Sequence, residues 1–378
     1  MGTRTYSRRG ANGVRVLTAL GRARQAGALV SAPSPTAQYQ SIDYSNLPEY
    51  TRKRATENIP EIVDLLIKNV LAERNTTSEM EQNEYRDLVD QIDRFKDMGI
   101  NFDDPNDRQL FADLFGIFGG DAITQRDLYD YTKPNSWNAQ RDNQLDIEPV
   151  YGGLNVISKV GNYAPHNPLL SDVTVALHYT NDDPRYGITI RLNVFAQKGS
   201  TGMGYTLIAR QLAAIDELVR RGKVNPNDVN IIMEAVQKPE QTIRAKVGQT
   251  TVIPALNGMA TWPKLGFNML IASLPTPVVR YLESQGFTNE QRYDTNTLLQ
   301  SRSATGVSGY DAWGEAMKKV SKGIGRTAIF RYNNPNQRRI IEEYAKRKGF
   351  TKQLPSTGVE LDLTPDDEQI LRSIWMRN

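Results

Sequence analysis

The chain has 378 residues, of which 39% are hydrophobic and 24% charged. This is enough apolar material for a folded core, which excludes a wholly disordered protein. It contains no cysteine and only two histidines, His166 and His178. Disulfides, thiolate nucleophiles and multi-histidine metal sites are therefore excluded, and no metal site is predicted. No run approaches the roughly 18 apolar residues that a membrane helix needs, so no membrane span is expected.

The net charge of +3 is unevenly distributed along the chain. Six arginines and no lysine or acidic residue precede Asp43, so this segment carries +6, while the remaining 40 basic residues (46 less these six) and 43 acidic residues leave the body at −3. We interpret residues 1–44 as a basic extended arm that binds nucleic acid or other protein subunits of an assembly, because guanidinium groups pair with phosphates and carboxylates. The binding residues are then Arg4, Arg8, Arg9, Arg15, Arg22 and Arg24.

Two other interpretations of this segment stay open. An arginine-rich segment that contains serine and lacks acidic residues is also typical of mitochondrial transit peptides, which would indicate a location in the mitochondrial matrix. A segment dominated by Gly, Ala, Ser and Thr buries little apolar area, so it could equally be a solvated terminus without function. The arm interpretation is favoured here, with the virion or the cytoplasm as the location.

Hydrophobic periodicity organises the first third of the body. Apolar residues recur at helical spacing near 57–74, 78–95 and 106–118, and this pattern predicts a helical module over residues 45–120. Residues 121–168 are rich in Asp, Asn, Pro, Tyr and Gly. That composition predicts an extended connector between the helical module and the second half of the chain.

The pattern changes from helical to alternating spacing at about residue 169. Residues 173–179 and 188–194 alternate apolar and polar positions around a turn, which predicts an antiparallel hairpin. Further strand and helix patterns continue this α/β domain to residue 350, and residues 351–378 are predicted to contain a C-terminal helix. The predicted fold class is α/β of the α+β type, in which a helical module precedes a mixed, partly antiparallel sheet flanked by helices.

A glycine-rich loop joins the end of the predicted hairpin to a long helix. It runs from Lys198 to Tyr205 and contains Gly199, Gly202 and Gly204. Glycine lets a backbone approach a ligand closely, and the N–H groups at a helix N-terminus bind anions such as a pyrophosphate. The loop lacks the Gly-Lys-Ser/Thr of a P-loop and the third glycine of the dinucleotide fingerprint. A tight turn without a ligand is the alternative interpretation.

The order of hairpin, Gly-x-Gly loop, long helix and strand, followed by Asn257, Trp262 and a Gly-Phe pair, resembles the GNAT acyltransferase superfamily. The resemblance covers about residues 170–270 and could extend to 350. In that family the loop after the fourth strand cradles the acyl-CoA pyrophosphate, so the resemblance implies a GNAT-like fold and acetyl-CoA as the cofactor. The cofactor-binding residues that it implies are Gly199, Thr201, Gly202, Met203, Gly204, Tyr205 and Asn257.

Catalysis of the kind that the resemblance implies would need a base and a phenol. Glu234 lies in the strand after the long helix and is the candidate base for an attacking amine, although a structural or surface role explains it as well. The family tyrosine that protonates the leaving thiolate is matched here by Trp262, whose indole cannot act as that acid. Tyr281 and Tyr344 each precede a Gly-Phe pair and are the alternative catalytic phenols.

A second basic segment lies near the end of the α/β domain. Residues 318–348 combine lysines and arginines with interleaved aromatic residues. Such a pattern could bind phosphates and stack on bases, or it could be an ordinary solvated helix face interrupted by Glu342 and Glu343.

Together these features predict a structural component of a large assembly, with a virus particle favoured. In this interpretation the GNAT-like domain is catalytically silent and the basic arm anchors it. An active acyl-CoA-dependent N-acetyltransferase is the alternative function, and a component of a mitochondrial ribonucleoprotein is the second alternative.

Overall fold

A computed structural model describes residue 39 and residues 49–72, 79–119, 143–160, 169–180, 183–197, 202–238, 241–244, 250–253 and 256–349. The six arm arginines, Gly199, Thr201 and the predicted C-terminal helix lie outside these residues. Within the described part, no helix has both the length and the apolar character required to cross a membrane.

Among the described residues, four helices precede the sheet, and they bear out the helical periodicity of the first third of the body. They are α1 (Glu49–Thr56), α2 (Ile59–Ala72), α3 (Glu79–Asp97) and α4 (Pro105–Phe115). The side chain of Asp104 caps α4 by accepting a hydrogen bond from the Asn106 amide, and Pro105 takes the first helical position. Gly116 ends α4 in the left-handed conformation, with φ of 61°.

The sheet is mixed, as predicted. Antiparallel pairing joins its first four strands in chain order, and the fifth pairs parallel to the fourth. These strands are β1 (Asn143–Val150), β2 (Gly153–Val160), β3 (Leu169–Thr180), β4 (Asp183–Gln197) and β5 (Val224–Lys238). Helix α5 (Met203–Arg220) makes the crossover from β4 to β5. The fold class is therefore confirmed as α+β, with helices flanking a partly antiparallel sheet.

Short elements complete the domain after β5. A two-stranded ribbon of β6 (Gln241–Arg244) and β7 (Thr250–Ile253) comes first, and β9 (Ile324–Arg331) later pairs antiparallel with β5. The remaining elements are β8 (Leu256–Asn257), α6 (Gly258–Thr261), a 3₁₀ turn (Trp262–Leu265), a second 3₁₀ turn (Ile271–Ser273), α7 (Thr276–Ser284), α8 (Thr295–Gln300), α9 (Gly309–Met317), β9 (Ile324–Arg331) and α10 (Pro335–Lys348).

The predicted connector needs a correction. Residues 143–160 form the hairpin β1–β2, which extends the sheet beyond β3. Leu145 and Ile147 of β1 are buried, as are Leu154 and Val156 of β2, so each strand contributes its alternating apolar side chains to the core. The alternation is short and is surrounded by turn-forming residues. Because the composition of the whole segment is dominated by these residues, it predicted a connector.

The helical module also does not stand apart from the sheet. One continuous core of buried side chains runs from α2 and α4 through α5 to β5. Within it, the Arg210 Nε atom of α5 lies 2.7 Å from the Asp113 Oδ1 atom of α4, and both side chains are fully buried. The Tyr39 hydroxyl donates to the other oxygen of Asp113, at 2.6 Å. The described residues therefore form one folded unit, in which a buried ion pair connects the two predicted parts.

Candidate functional site

The two parallel strands of the sheet separate before either of them ends. Strands β4 and β5 pair from Ile188 opposite Val229 to Leu192 opposite Met233. Strand β4 then continues to Gln197 and β5 continues to Lys238. The separation leaves a gap at the carboxyl ends of both strands, which is where ligands commonly bind in open α/β sheets.

The chain itself fills this gap. Gln237 of β5 pairs with Ile324 of β9 on one edge and with Asn257 of β8 on the other. Strand β8 therefore pairs with the same edge of β5 as β4 does, but β4 pairs with residues up to Met233 and β8 with Gln237 and Lys238. Gly258 follows directly and packs on β5 so closely that an added Cβ atom would lie 2.8 Å from the Val236 carbonyl oxygen.

The indole of Trp262 completes the filling of the gap. Its ring lies 5.8 Å from that of Phe195 on β4 and 5.6 Å from that of Phe267, both in edge-to-face geometry. On its other side, a Cβ atom added to Gly204 at the start of α5 would lie 3.6 Å from the indole. Trp262 is only 7% exposed. The aromatic position that corresponds to the catalytic tyrosine of the resembled family is thus a packing element between β4 and α5.

The described part of the predicted cofactor loop lies against this packing. Gly202 has a left-handed φ of 95° and precedes the first turn of α5. Met203 and Tyr205 are buried, and burial raises the pKa of the Tyr205 phenol. The Tyr205 ring lies 6.1 Å from the ring of Tyr344 on α10. In this part of the loop, the first side chains of α5 therefore contribute to the core.

A groove of about 580 Å³ opens beside the filled gap. Its floor is formed by the end of β5, by β8 and by α6, and its walls by α9 and α10. The Trp313 indole N–H of α9 donates to the Met259 carbonyl of α6 at 2.9 Å, which fixes one wall on the floor. The other wall is fixed to α5, because the Arg338 guanidinium of α10 lies 3.0 Å from Asp216.

The groove is basic and partly aromatic. Its cationic side chains are Lys264, Lys318, Arg347 and Lys348, and none of the described residues that line it is acidic. The Tyr310 ring lies 4.3 Å from the Lys264 ammonium and 4.2 Å from the centre of the Arg347 guanidinium. Burial raises the pKa of Tyr310 to about 12, so its phenol stays protonated at neutral pH.

Only one of the three predicted catalytic residues lines this groove. Tyr344 does so, and burial raises the pKa of its phenol. Tyr281 lies on α7, where the Lys319 ammonium is 5.2 Å from its ring. Glu234 is exposed on β5 and lies against Gly325 of β9. Asn257, a predicted cofactor residue, joins Tyr344 in the groove.

Lys264 and Tyr310 were not predicted as site residues, and the fold brings both of them to Arg347. The basic segment 318–348 did contain Lys318, Arg347 and Lys348 of the groove, together with Tyr344. Among the described residues, no group of three His, Cys, Asp or Glu side chains could hold a metal ion.

Comparison of the chain with protein-family models, with curated proteins and with solved structures finds no match.

Proposed function

We propose that the protein is a structural component of a larger assembly, such as a virus particle, and that its α+β domain does not transfer acyl groups. The observation that carries the proposal is the filled gap between β4 and β5. An acyl thioester arm running from a phosphate at the N-terminus of α5 toward Asn257 would need the volume that the Trp262 indole occupies.

The side chains near the gap support the absence of catalysis. Tyr344 is the predicted phenol that lines the groove, and burial moves its pKa further from neutral pH. A general acid is most effective when its pKa is close to the working pH. Glu234 is exposed beside β9, and no described carboxylate lines the groove to act as a base.

The charge distribution supports the assembly role. The segment before Asp43 carries +6, whereas the rest of the chain carries −3. A concentrated run of arginines suits a phosphate backbone or an acidic protein surface. Tyr39, near the end of the arm, is 7% exposed and hydrogen-bonded to Asp113, so the arm joins the domain at a fixed point.

An acyl-CoA-dependent N-acetyltransferase is the second candidate function. The observation in its favour is that Gly202 and Gly204 open α5 directly after the fourth strand of the sheet. A helix N-terminus of this kind can bind a phosphate.

Deleting residues 2–36 tests the assembly role while it leaves Tyr39 in the core. We expect full-length protein to form assemblies that contain nucleic acid and the truncated protein to be monomeric, because the arm supplies the anchoring charge. Mass photometry measures the size of the assemblies, and the ratio of nucleic-acid to protein ultraviolet absorbance measures their nucleic-acid content.

Two full-length variants serve as matched controls for this deletion. Replacing all six arm arginines with glutamine should reproduce the deletion, whereas replacing them with lysine should preserve most of the assembly. A truncated protein that assembles as well as the full-length chain would contradict the proposed role of the arm.

A further inference from the structure

The basic groove between α9 and α10 is lined by cations as well as by side chains that pack on the core, such as Met317, Tyr310 and Tyr344. Its cations converge from three elements, with Lys264 on the 3₁₀ turn, Lys318 at the end of α9, and Arg347 and Lys348 in the last turn of α10. Two of them have acidic neighbours on their own helices, Glu315 for Lys318 and Glu343 for Arg347. These pairs are exposed on the surface, where ion pairs contribute little, so an anion can replace them.

Burial and mutual repulsion act on the deepest of these cations. Burial is the largest effect and lowers the pKa of Lys264. Asp311 has the largest charge effect and raises this pKa, as Glu315 does, whereas the charges of Lys348 and Arg347 lower it further. An anion in the groove would relieve this repulsion. The groove is therefore suited to a negatively charged ligand.

The aromatic part of the groove indicates which chemical group the ligand contains besides its negative charge. The Arg347 guanidinium is stacked on Tyr310 and its side chain is 41% exposed. A planar guanidinium held in this way is a platform on which a nucleobase can stack. An acidic peptide would use the cations of the groove but not this platform.

The floor of the groove offers polar groups to such a ring. The Gln237 amide donates to the Asn257 side-chain oxygen at 3.2 Å. Gln237 is 7% exposed, and among the described residues its own Oε1 atom has no hydrogen-bond partner. This Oε1 atom is closed off from solvent, so the polar group that the floor presents to a ligand is the exposed Asn257 amide.

We propose that this groove binds a nucleotide of a single-stranded nucleic acid, with its base on the Arg347–Tyr310 platform and its phosphate at Lys264 and Lys318. The inference rests on the proposed function, because it names nucleic acid as the partner of the assembly. A single strand is required, because the bases of a duplex are stacked on one another and cannot stack on a protein side chain.

The test uses full-length protein and an octanucleotide that contains 4-thiouridine. Photocrosslinked peptides are mapped by mass spectrometry, and affinity is measured by fluorescence anisotropy over a range of salt concentrations. We expect crosslinks at Tyr310 or Tyr344. Arg347→Gln should weaken binding about tenfold through the loss of stacking. Lys346→Gln removes the same charge from the same helix turn outside the groove and is the matched control.

A second variant makes the test independent of folding. The Lys318 side chain is 70% exposed, so Lys318→Gln leaves the core unchanged. Log affinity falls as log salt concentration rises, and this variant should make that slope less steep by about 0.7 for a single-stranded ligand.

Three outcomes would overturn the inference. Crosslinks confined to residues 1–38 would assign all nucleic-acid contact to the arm and leave the proposed function standing. Displacement of the octanucleotide by an equal concentration of uridine monophosphate would assign the groove to free nucleotides. The absence of any crosslink or binding would remove the groove proposal and the nucleic-acid part of the proposed function together.

Discussion

Replacing Trp262 with alanine should lower the free energy of unfolding by about 3–5 kcal/mol, the usual cost of truncating a buried tryptophan. The indole is 7% exposed and packs on Phe195 of β4, Phe267 and the first turn of α5. The strands have already separated at this point, so no backbone pairing can close the space that alanine leaves. Urea denaturation measures the effect.

Two controls assign this loss to the filling of the gap. Trp262→Phe keeps an aromatic ring against Phe195 and should cost clearly less than alanine. Added indole should raise the unfolding midpoint of Trp262→Ala and leave the wild type unchanged, because a ligand that binds only the native state stabilises it. If Trp262→Ala lowered the free energy of unfolding by less than about 1 kcal/mol, the indole would not stabilise the domain by filling the gap.

Replacing Arg210 with methionine should destabilise the protein by about 3–5 kcal/mol. Arg210 of α5 and Asp113 of α4 are both fully buried, with 2.7 Å between their charged atoms. Without the guanidinium, Asp113 would be a buried carboxylate with only Tyr39 and Gln109 as described side-chain donors. Thermal and urea unfolding of the full chain measure the loss.

The exposed arginine at the end of the same helix is the matched control. Arg220 is 52% exposed and pairs with Glu217, so Arg220→Met should change stability by less than about 1 kcal/mol. The double variant Arg210→Met with Asp113→Leu should recover most of the stability, because a buried ion pair can often be replaced by apolar side chains. If the double variant were as unstable as the single one, the loss would come from packing and not from the unpaired charge.

Much of the fold could be predicted from local patterns. Alternation over 173–179 and 188–194 predicted the hairpin of β3 and β4, and the helical spacing after Gly204 predicted α5. These elements have long, regular patterns that a single period describes. The hairpin β1–β2 was missed because its eight-residue strands lie among turn-forming residues.

The site was less predictable, because its geometry is tertiary. Tyr344 and Asn257 were predicted as site residues, and they do share the groove. The two-residue strand β8 is too short to give a sequence pattern, yet its pairing with Gln237 closes the gap. The Lys264–Tyr310–Arg347 cluster depends on how α9 and α10 pack around α6, which hydrophobic periodicity does not specify.

We propose that the start of α5 packs the domain and does not hold an acyl-CoA phosphate. Gly204→Ala tests it directly, because the added Cβ atom would have only ordinary contacts of 3.6–3.8 Å with Trp262, Leu265 and Phe195, so the variant should fold. At a phosphate-binding helix start, the same methyl group would obstruct the ligand.

Calorimetric titration of the full-length protein and of Gly204→Ala with acetyl-CoA is the decisive measurement. We expect either no heat at millimolar ligand or a weak binding that is equal in the two proteins, because only the adenine nucleotide part of the ligand would enter the basic groove. Micromolar binding by the wild type that Gly204→Ala abolishes would instead establish an acyl-CoA site at the start of α5.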